Sequence, residues 1–345
     1  MLRTRFHRVI FNDWGTSRPC LFPPVAVKSK PPALRLVVDS TFQLKENVMP
    51  KTLLEQVKEK TIIFDGAMGT LIMAAGIESI KSPMLLNVEK PGLVADIHKQ
   101  YFAAGADVVL TNTFSGNPLK LEAEGIDTQM EVLNREAAKL AKQACPAGKF
   151  VAGDIGPSGK TLPPIGDSSP EEMQAAFNQQ AKVLVEGGVD LLLIETMYSL
   201  EEAVAAVHGA RQAGDILLIA SMTYNNTEMG YYTIMGETVD QCASTLAEAG
   251  ADIIGANCTL GSSEMIELTK ELRAATDKPI LIQPNAGKPV ADGDRTYYEQ
   301  TPAEFALDLK KIAQAGADMV GGCCGTDPEF IKTMTAAISG HPTAD

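Results

Sequence analysis

The sequence predicts a single (β/α)8 barrel, and three observations support that fold. From residue 61 onward, short runs rich in Val, Ile and Leu alternate with amphipathic stretches of helical length, as in parallel βαβ units. Eight such runs can be counted, which matches the eight strands of this barrel. No dinucleotide-binding fingerprint occurs, and this favours a closed barrel over a doubly wound open sheet.

The elements follow one another along the whole chain after the first 60 residues. The predicted strands are residues 61–66, 107–114, 149–156, 190–196, 216–224, 252–258, 279–287 and 318–325. The predicted helices include residues 128–144, 170–186, 200–213, 238–249, 262–274, 302–315 and 328–338. Hydrophobic residues make up 45% of the chain but aromatic residues only 6%, so the core must be largely aliphatic, as layered α/β packing favours.

A short echo precedes four of the strands and supports the repeat. It reads Ala-Ala-Gly-Ala-Asp at 103–107, Glu-Gly-Gly-Val-Asp at 186–190, Glu-Ala-Gly-Ala-Asp at 248–252 and Gln-Ala-Gly-Ala-Asp at 314–318. In each copy we expect a glycine to end the preceding helix in the left-handed conformation, with the next strand beginning within two residues.

The first 48 residues differ from the rest and are predicted to be a disordered extension, with residues 49–345 forming the barrel domain. They begin with Arg3, Arg5 and Arg8, contain scattered prolines and show no sustained period. The arginines are compatible with a targeting peptide, whereas Met49 resembles an ordinary protein start. Both interpretations remain open at this point.

Charge and cysteine content exclude several classes of protein. A net charge of −13 argues against nucleic acid as a partner, because phosphate binding needs a concentrated basic surface. No run of 18 apolar residues is present, which argues against a membrane span. Six cysteines, two of them adjacent, fit a reducing compartment rather than a secreted disulfide framework, and we therefore expect a cytoplasmic protein.

Three cysteines fall at predicted strand ends, where barrels of this kind carry their functional residues. Cys258 ends the sixth strand, and Cys323 and Cys324 end the eighth, so the three can converge on the rim. Three thiolates that leave one position open are typical of a catalytic zinc site, since structural sites fill all four positions. Flanking glycines would let the backbone bend so that both neighbouring sulfurs face one ion; they are Gly321, Gly322 and Gly325.

Other interpretations of these residues remain open. Buried cysteines are most often small hydrophobic residues, and this is the interpretation for Cys20, Cys145 and Cys242. Cys323 and Cys324 could instead form a vicinal disulfide, or one cysteine of the trio could be a nucleophile. A histidine-based site is hard to build, because none of the four histidines falls at a strand end; they are His7, His98, His208 and His341.

The strand-end motifs together resemble the homocysteine S-methyltransferases, including the homocysteine-binding barrel of cobalamin-dependent methionine synthase. The resemblance covers roughly residues 58–340, and the set of motifs in this order is specific. The motifs are Asp65-Gly-Ala-Met-Gly-Thr70, Thr111-Asn-Thr-Phe114, Gly153-Asp-Ile-Gly-Pro157, Ile194-Glu-Thr196, Asn257-Cys258, Pro284-Asn-Ala-Gly287 and Gly321-Gly-Cys-Cys-Gly-Thr326.

The resemblance implies roles for individual residues. It makes Cys258, Cys323 and Cys324 the zinc ligands and catalytic residues. It places the amino acid end of homocysteine between Glu195 and the first-strand loop, with Asn285 nearby; the loop residues are Asp65, Gly66, Ala67, Met68 and Gly69. Loop amides can bind a carboxylate and a rim carboxylate suits an ammonium group, although Glu195 could also be a rim glutamate without a chemical task.

The function implied is zinc-dependent methyl transfer to the homocysteine thiol, giving methionine by in-line displacement. A free thiol is mostly protonated at neutral pH, and coordination would make it a thiolate. We expect no covalent methyl-enzyme and no general-base histidine. The alternatives are a methyltransferase for another thiol with a corrinoid partner, a Schiff-base lyase or aldolase, for which no lysine ends an inner strand, and a non-catalytic zinc- or thiol-binding barrel.

The methyl donor is expected to come from outside the chain, because few residues follow the last predicted helix. The run from Cys324 into Asp327-Pro328-Glu329 resembles the cobalamin-dependent synthase more than the plant enzymes that use S-methylmethionine. This favours a separate methyl-corrinoid protein docking over the barrel mouth. The second choice is a small donor such as S-methylmethionine or S-adenosylmethionine, for which residues 225–236 would be the lid.

Overall fold

Eight parallel strands form one sheet in the computed structural model, which describes residues 52–77, 80–292 and 295–339, all within one compact unit. The predicted boundary at residues 48 and 49, and the predicted extension before it, lie outside these ranges. The strands are β1 Ile62–Ile63, β2 Val108–Leu110, β3 Phe150–Ile155, β4 Leu191–Met197, β5 Leu217–Met222, β6 Ile253–Gly261, β7 Ile280–Asn285 and β8 Met319–Val320.

The sheet closes on itself. Its order is β1-β8-β7-β6-β5-β4-β3-β2, and a parallel bridge between Phe64 and Val108 joins the two ends. The predicted (β/α)8 barrel is confirmed. β1 and β8 are shorter than their apolar runs suggested, because the chain leaves the sheet early on both strands to build the loops of the rim.

Each strand is followed by a helix on the outside of the barrel. The eight helices are α1 Pro91–Ala104, α2 Met130–Ala144, α3 Pro170–Glu186, α4 Leu200–Ala213, α5 Val239–Ala249, α6 Ser262–Ala275, α7 Pro302–Gln314 and α8 Pro328–Ser339. The seven helices that were predicted with residue bounds agree with α2 to α8 to within two residues at each end. Proline at the first position begins several of them, where its missing N–H costs no hydrogen bond.

Two antiparallel hairpins extend the rim and were not predicted. One pairs Asn225–Thr227 with Gly230–Tyr232 after β5, and the other pairs Pro289–Asp292 with Arg295–Tyr298 after β7. Among the described residues, no helix is long and apolar enough to cross a membrane.

Alternating strand residues fill the barrel interior with one buried apolar cluster. It contains at least one side chain from or beside every strand and is almost wholly aliphatic, as the composition predicted. Its members are Leu53, Ile62, Phe64, Val108, Ala152, Leu191, Leu193, Ile219, Ile253, Leu281 and Met319. A larger cluster lies between the sheet and the surrounding helices.

The four-fold echo has a structural role at the amino ends of the strands. Its glycines Gly105, Gly188, Gly250 and Gly316 have φ angles of +112°, +83°, +115° and +113°, the left-handed conformation that was predicted. Its aspartates do more than the sequence indicated, because each accepts the backbone N–H at or beside the start of the preceding strand. The donor and acceptor pairs are Ile63 and Asp107 (3.1 Å), Val151 and Asp190 (2.7 Å), Leu218 and Asp252 (2.9 Å), and Ile280 and Asp318 (2.8 Å).

Each of these carboxylates also pairs with a lysine or arginine, and Asp107 pairs with both Lys60 and Lys149 at 2.7 Å. Hydrogen bonds from these lysines help to hold the pKa of Asp107 below its usual value, although burial opposes them. The echo therefore ties neighbouring strands together on the face opposite the rim. Because these stabilising contacts lie on the face opposite the rim, the residues of the rim are free to carry function.

Candidate metal and substrate site

A cavity of about 280 Å³ opens at the carboxyl ends of the strands. Six of the seven residues predicted for homocysteine line it, namely Asp65, Gly66, Ala67, Met68, Gly69 and Glu195. All three predicted zinc ligands line it as well. Asn285 is buried behind the wall, where its carboxamide oxygen accepts the N–H of Cys324 at 3.1 Å.

The three thiols lie together at one side of this cavity. The Sγ atoms of Cys258, Cys323 and Cys324 all lie within 4.8 Å of one another, and within the described residues no other group of three such side chains could hold a metal ion. Cys324 Sγ lies 4.0 Å from each of the other two sulfurs. The convergence expected from strands six and eight is therefore present.

The local backbone explains how adjacent and distant cysteines reach one point. β6 departs from regular register between Asn257 and Gly261, and Cys258 there has a φ of +58°. On the other side, the Cys323 N–H donates to the Pro284 carbonyl at 2.8 Å, so the end of β7 holds the loop after β8.

The glycines around the cysteine pair act in two ways. Gly325 has a φ of +83°, as the predicted bend requires. Gly322 is required because there is no space for a side chain: an added Cβ would lie 2.4 Å from the Thr326 hydroxyl oxygen. The sequence prediction of a bending role therefore holds for Gly325, whereas Gly322 permits a close approach.

The thiol cluster can carry negative charge on one sulfur. Hydrogen bonds from Cys258 and Cys323 lower the pKa of Cys324 to about 3, and the Tyr298 hydroxyl contributes in the same direction. The same contacts, together with burial, raise the pKa of Cys323. A thiolate stabilised by neighbouring donors is the form of cysteine that binds metals.

Three carboxyl groups line the same cavity and are buried. Asp65, Asp154 and Glu195 are 3%, 6% and 9% exposed. Burial raises the pKa of all three, that of Glu195 to about 8, with the charge of Cys324 adding to the effect. Because no lysine is found among the described residues that line the cavity, a Schiff-base mechanism gains no support here.

Asp154 was not among the predicted site residues, although its Gly-Asp-Ile-Gly-Pro motif was recognised at the end of strand three. Its Oδ1 atom is buried without a hydrogen-bond partner in the described part of the chain. Its place at a strand end was the signal that could have identified it. Thr111, Asn112 and Phe114, which belong to another recognised strand-end motif, also line the wall, although the sequence assigned them no role. Further wall residues that were not predicted include Met84, Leu110 and Gln283.

The other cysteines and histidines of the described residues lie away from the cavity wall. Cys242 is buried in the outer core on α5, as expected of a small hydrophobic residue, and Cys145 is half-buried directly after α2. His98 is buried on α1, which lowers its pKa to about 4, and His208 lies on α4. Cys20, His7 and His341 lie outside the described residues.

The predicted lid, residues 225–236, forms the hairpin after β5 and the turn that follows it. Tyr231 anchors the hairpin, because its hydroxyl donates to the Glu264 carbonyl at 2.7 Å. No residue of this segment lines the cavity in the described structure. The lid role stays a prediction.

Comparison with known proteins gives relatives of two kinds. The chain is 32% identical over 307 residues to the methionine synthases of Mycobacterium tuberculosis and Mycobacterium leprae, an overlap that covers 83% of this chain. It spans only 25% of the length of either mycobacterial protein.

Solved structures of the homocysteine methyltransferase MmuM from Escherichia coli match over nearly their whole length. The metallated form has a TM-score of 0.69 at 25% identity, covering 82% of this chain and 98% of that one. The apo form has a TM-score of 0.65 at 26% identity, covering 83% and 98%.

The sequence profile described as homocysteine S-methyltransferase matches residues 62–338, which include every strand of the barrel and nearly all of α8. The resemblance seen in the strand-end motifs is thereby confirmed: this chain belongs to the homocysteine S-methyltransferase family.

Proposed function

We propose that this protein uses a zinc ion held by Cys258, Cys323 and Cys324 to methylate homocysteine, giving methionine. The observation that carries the proposal is the meeting of three thiols and three buried carboxyl groups in one cavity of about 280 Å³. Homocysteine offers a thiol at one end and an ammonium group at the other. A zinc ion on the three cysteines would bind the substrate thiol, and the carboxyl groups would bind the ammonium group.

The donor set fits zinc. Sulfur ligands at the rim of an open cavity, with three protein positions filled, leave room for one substrate atom, and thiolates favour zinc over magnesium or calcium. The pKa of Cys324, about 3, supports binding by a thiolate. When bound, zinc lowers the pKa of a coordinated thiol, so that its sulfur is available as a nucleophile at neutral pH.

The chain's own residues would bind and orient the amino acid end. Glu195 lies close enough to the cluster for the charge of Cys324 to raise its pKa, so an ammonium group beside it would also be near the thiols. Asp65 and Asp154 add two more carboxyl groups to the same wall. The turn of residues 66–69 lines the cavity as the chain enters the short helix Met68–Ala74, and we assign its backbone to the substrate carboxylate.

Asp65 is itself held in place, which suits a binding residue. Its Oδ2 atom accepts the Leu110 N–H at 2.9 Å, so the carboxyl group is fixed between β1 and β2. Homocysteine bound in this way would have its ammonium group oriented by fixed acceptors rather than by mobile ones.

For the methyl donor, we favour a separate methyl-corrinoid protein over a small sulfonium compound. Two observations support this choice: the methionine synthases match this chain at 32% identity over 307 residues, and the hairpin after β5 adds no residue to the cavity wall. An open mouth suits a large donor. A small donor would be better served by a closed pocket.

The proposal is tested by incubating zinc-loaded protein with homocysteine and, separately, methylcobalamin, a methyl-corrinoid protein, S-methylmethionine and S-adenosylmethionine. Methionine should form, and most readily from a corrinoid donor. Robust turnover with a sulfonium donor and none with corrinoids would overturn the assignment of the methyl donor. The assignment of homocysteine as the methyl acceptor would stand. Metal and homocysteine binding without turnover from any donor would support the non-catalytic alternative.

A further inference from the structure

Asn257 joins the ends of three neighbouring strands inside the rim. It is 1% exposed and lies on β6, one residue before Cys258. Its Nδ2 group donates to Glu195 Oε2 at 3.2 Å and to Thr196 Oγ1 at 2.7 Å, both on β4. Its Oδ1 atom accepts the Thr196 N–H at 2.9 Å and the Ser221 hydroxyl, on β5, at 2.7 Å. A carboxamide offers two donors and two strong acceptor positions, and all four are used here.

The orientation of this carboxamide is fixed by chemistry. A backbone N–H can only donate, so the atom that faces the Thr196 N–H must be oxygen. The NH2 group then has to face Glu195. A buried group with every position satisfied holds its neighbours more firmly than an isolated hydrogen bond, because moving one partner breaks several bonds.

Two residues beside Asn257, one bonded to its side chain and one next in the chain, have unusual backbone conformations. Thr196 has a φ of +59° and Cys258 a φ of +58°, a region that non-glycine residues rarely adopt and that is most costly for a β-branched residue. Asn257 bonds both the N–H and the hydroxyl of Thr196. The carboxamide therefore stabilises the bend that directly follows Glu195.

We propose that Asn257 is a positioning residue: it holds the Glu195 carboxyl group at the place where it receives the substrate ammonium while the substrate sulfur lies at the thiol cluster. This inference rests on the proposed function, and it adds a residue that does not line the cavity. The short carbon chain of homocysteine limits the distance between its sulfur and its nitrogen. A carboxyl group free to change rotamer would meet that distance only part of the time.

The test is a double-mutant cycle on homocysteine affinity, measured calorimetrically on zinc-loaded protein with Asn257→Asp, Glu195→Gln and the double variant. Ionised Asp keeps the shape of Asn and both accepted hydrogen bonds but cannot donate to Glu195 or to the Thr196 hydroxyl. Because a protonated Asp could still donate, Asn257→Leu, which has no polar atom, is measured beside it. Losing a buried hydrogen bond to a charged group should weaken homocysteine binding about 10-fold or more. The double variant should bind about as weakly as Glu195→Gln alone, since Asn257 would act through Glu195.

Steady-state kinetics provide a second readout. Asn257→Asp should raise KM for homocysteine by a larger factor than it lowers kcat, because the lost interaction serves binding. Zinc content should stay near one per chain, since all three sulfurs remain. Thr223→Val is the matched control: Thr223 is also a buried residue at the rim, directly after β5, but it neither lines the cavity nor bonds Asn257, so homocysteine affinity should not change.

Three results would overturn the inference. An unchanged affinity in both Asn257→Asp and Asn257→Leu, with a weakened one in Glu195→Gln, would show that Glu195 needs no such support. Losses that multiply in the double variant would show that Asn257 acts independently of Glu195. An unchanged affinity in Glu195→Gln would overturn the proposed ammonium site, and the role of Asn257 with it.

If Asn257→Asp does not fold, Ser221→Ala tests the same arrangement more gently. It removes one of the two bonds to Oδ1 and leaves the donors in place. Homocysteine binding should weaken by a factor of about 5, the effect of one ordinary hydrogen bond. No change in affinity would count against the proposal.

Discussion

The Sγ atoms of Cys258 and Cys324 lie 4.0 Å apart, although the two residues are separated by 66 positions in the chain. The barrel brings them together, because β6 and β8 flank β7 and their carboxyl ends meet at the same rim. This short distance is the structural basis for the proposed metal site.

Replacing any one of the three clustered cysteines with alanine should remove bound zinc and abolish activity. Two thiolates bind zinc much more weakly than three, and the open substrate position cannot compensate. Metal analysis and far-UV circular dichroism of Cys258→Ala, Cys323→Ala and Cys324→Ala provide the measurement. The dichroism should be retained, because these ligands lie on the rim rather than in the packed interior.

Cys145→Ala is the matched control for this series, since Cys145 is a half-buried free thiol directly after α2 and outside the cavity wall. It should bind zinc like the unmodified protein. Full zinc retention in all three rim variants would rule out the proposed site.

Glu195→Gln should weaken homocysteine binding and leave zinc binding unchanged. The substrate ammonium group favours the ionised form of Glu195, and removing one partner of a buried charge pair typically costs about 2–5 kcal/mol. Titration calorimetry of the zinc-loaded variant measures the loss. Glu201→Gln, an exposed acid in the first turn of α4, is the control and should bind homocysteine normally. Normal affinity in Glu195→Gln would place the ammonium group elsewhere.

The contribution of Glu195 to the stability of the metal-free protein should fall as pH rises from about 5 to about 8. Burial raises the pKa of Glu195 from 4.5 to about 8, so within this window the folded protein keeps a proton that the unfolded chain has released. Asp65 and Asp154, whose pKa values burial also raises, act in the same direction.

Urea unfolding at several pH values checks this pH dependence. Glu195→Gln has no carboxyl group to ionise at that position, so its stability should decline less steeply over the same range. Glu201→Gln should keep the slope of the unmodified protein. Parallel slopes for Glu195→Gln and the unmodified protein would show that Glu195 ionises normally in the fold.

Asp107→Ala should destabilise the fold and spare the site. The carboxylate accepts the Ile63 N–H and pairs with Lys60 and Lys149, and it is 3% exposed. Leaving the buried Ile63 N–H without its acceptor costs about 1–3 kcal/mol. Thermal unfolding measures the loss, with the exposed Asp277→Ala as control, and zinc content should stay the same. Loss of zinc together with stability would argue against separate stabilising and functional faces.

Much of this fold could be predicted from local sequence. Aliphatic runs of strand length, helices with proline or capping residues at their starts, and the glycine of the echo all act over a few residues, so they are visible without tertiary structure. The convergence of Cys258 with Cys323 and Cys324 followed from strand order alone, because carboxyl ends of parallel strands share one rim.

The rest depends on tertiary contacts that no local pattern records. The positive φ angles of Thr196 and Cys258 run against the preferences of both residue types and persist because the surrounding rim imposes them. The carboxamide of Asn257 reaches across β5 to β4, which its neighbours in sequence do not indicate. Asp154 could be placed at a rim, but the burial of its unpartnered oxygen required the assembled barrel.

Zinc K-edge X-ray absorption on the zinc-loaded protein, with and without homocysteine, tests the proposed metal site most directly. We expect three sulfur ligands at about 2.3 Å and one lighter ligand in the free protein, and four sulfurs once homocysteine is bound. A free protein with fewer than three sulfur ligands, or a sulfur count that homocysteine does not change, would contradict the proposed site.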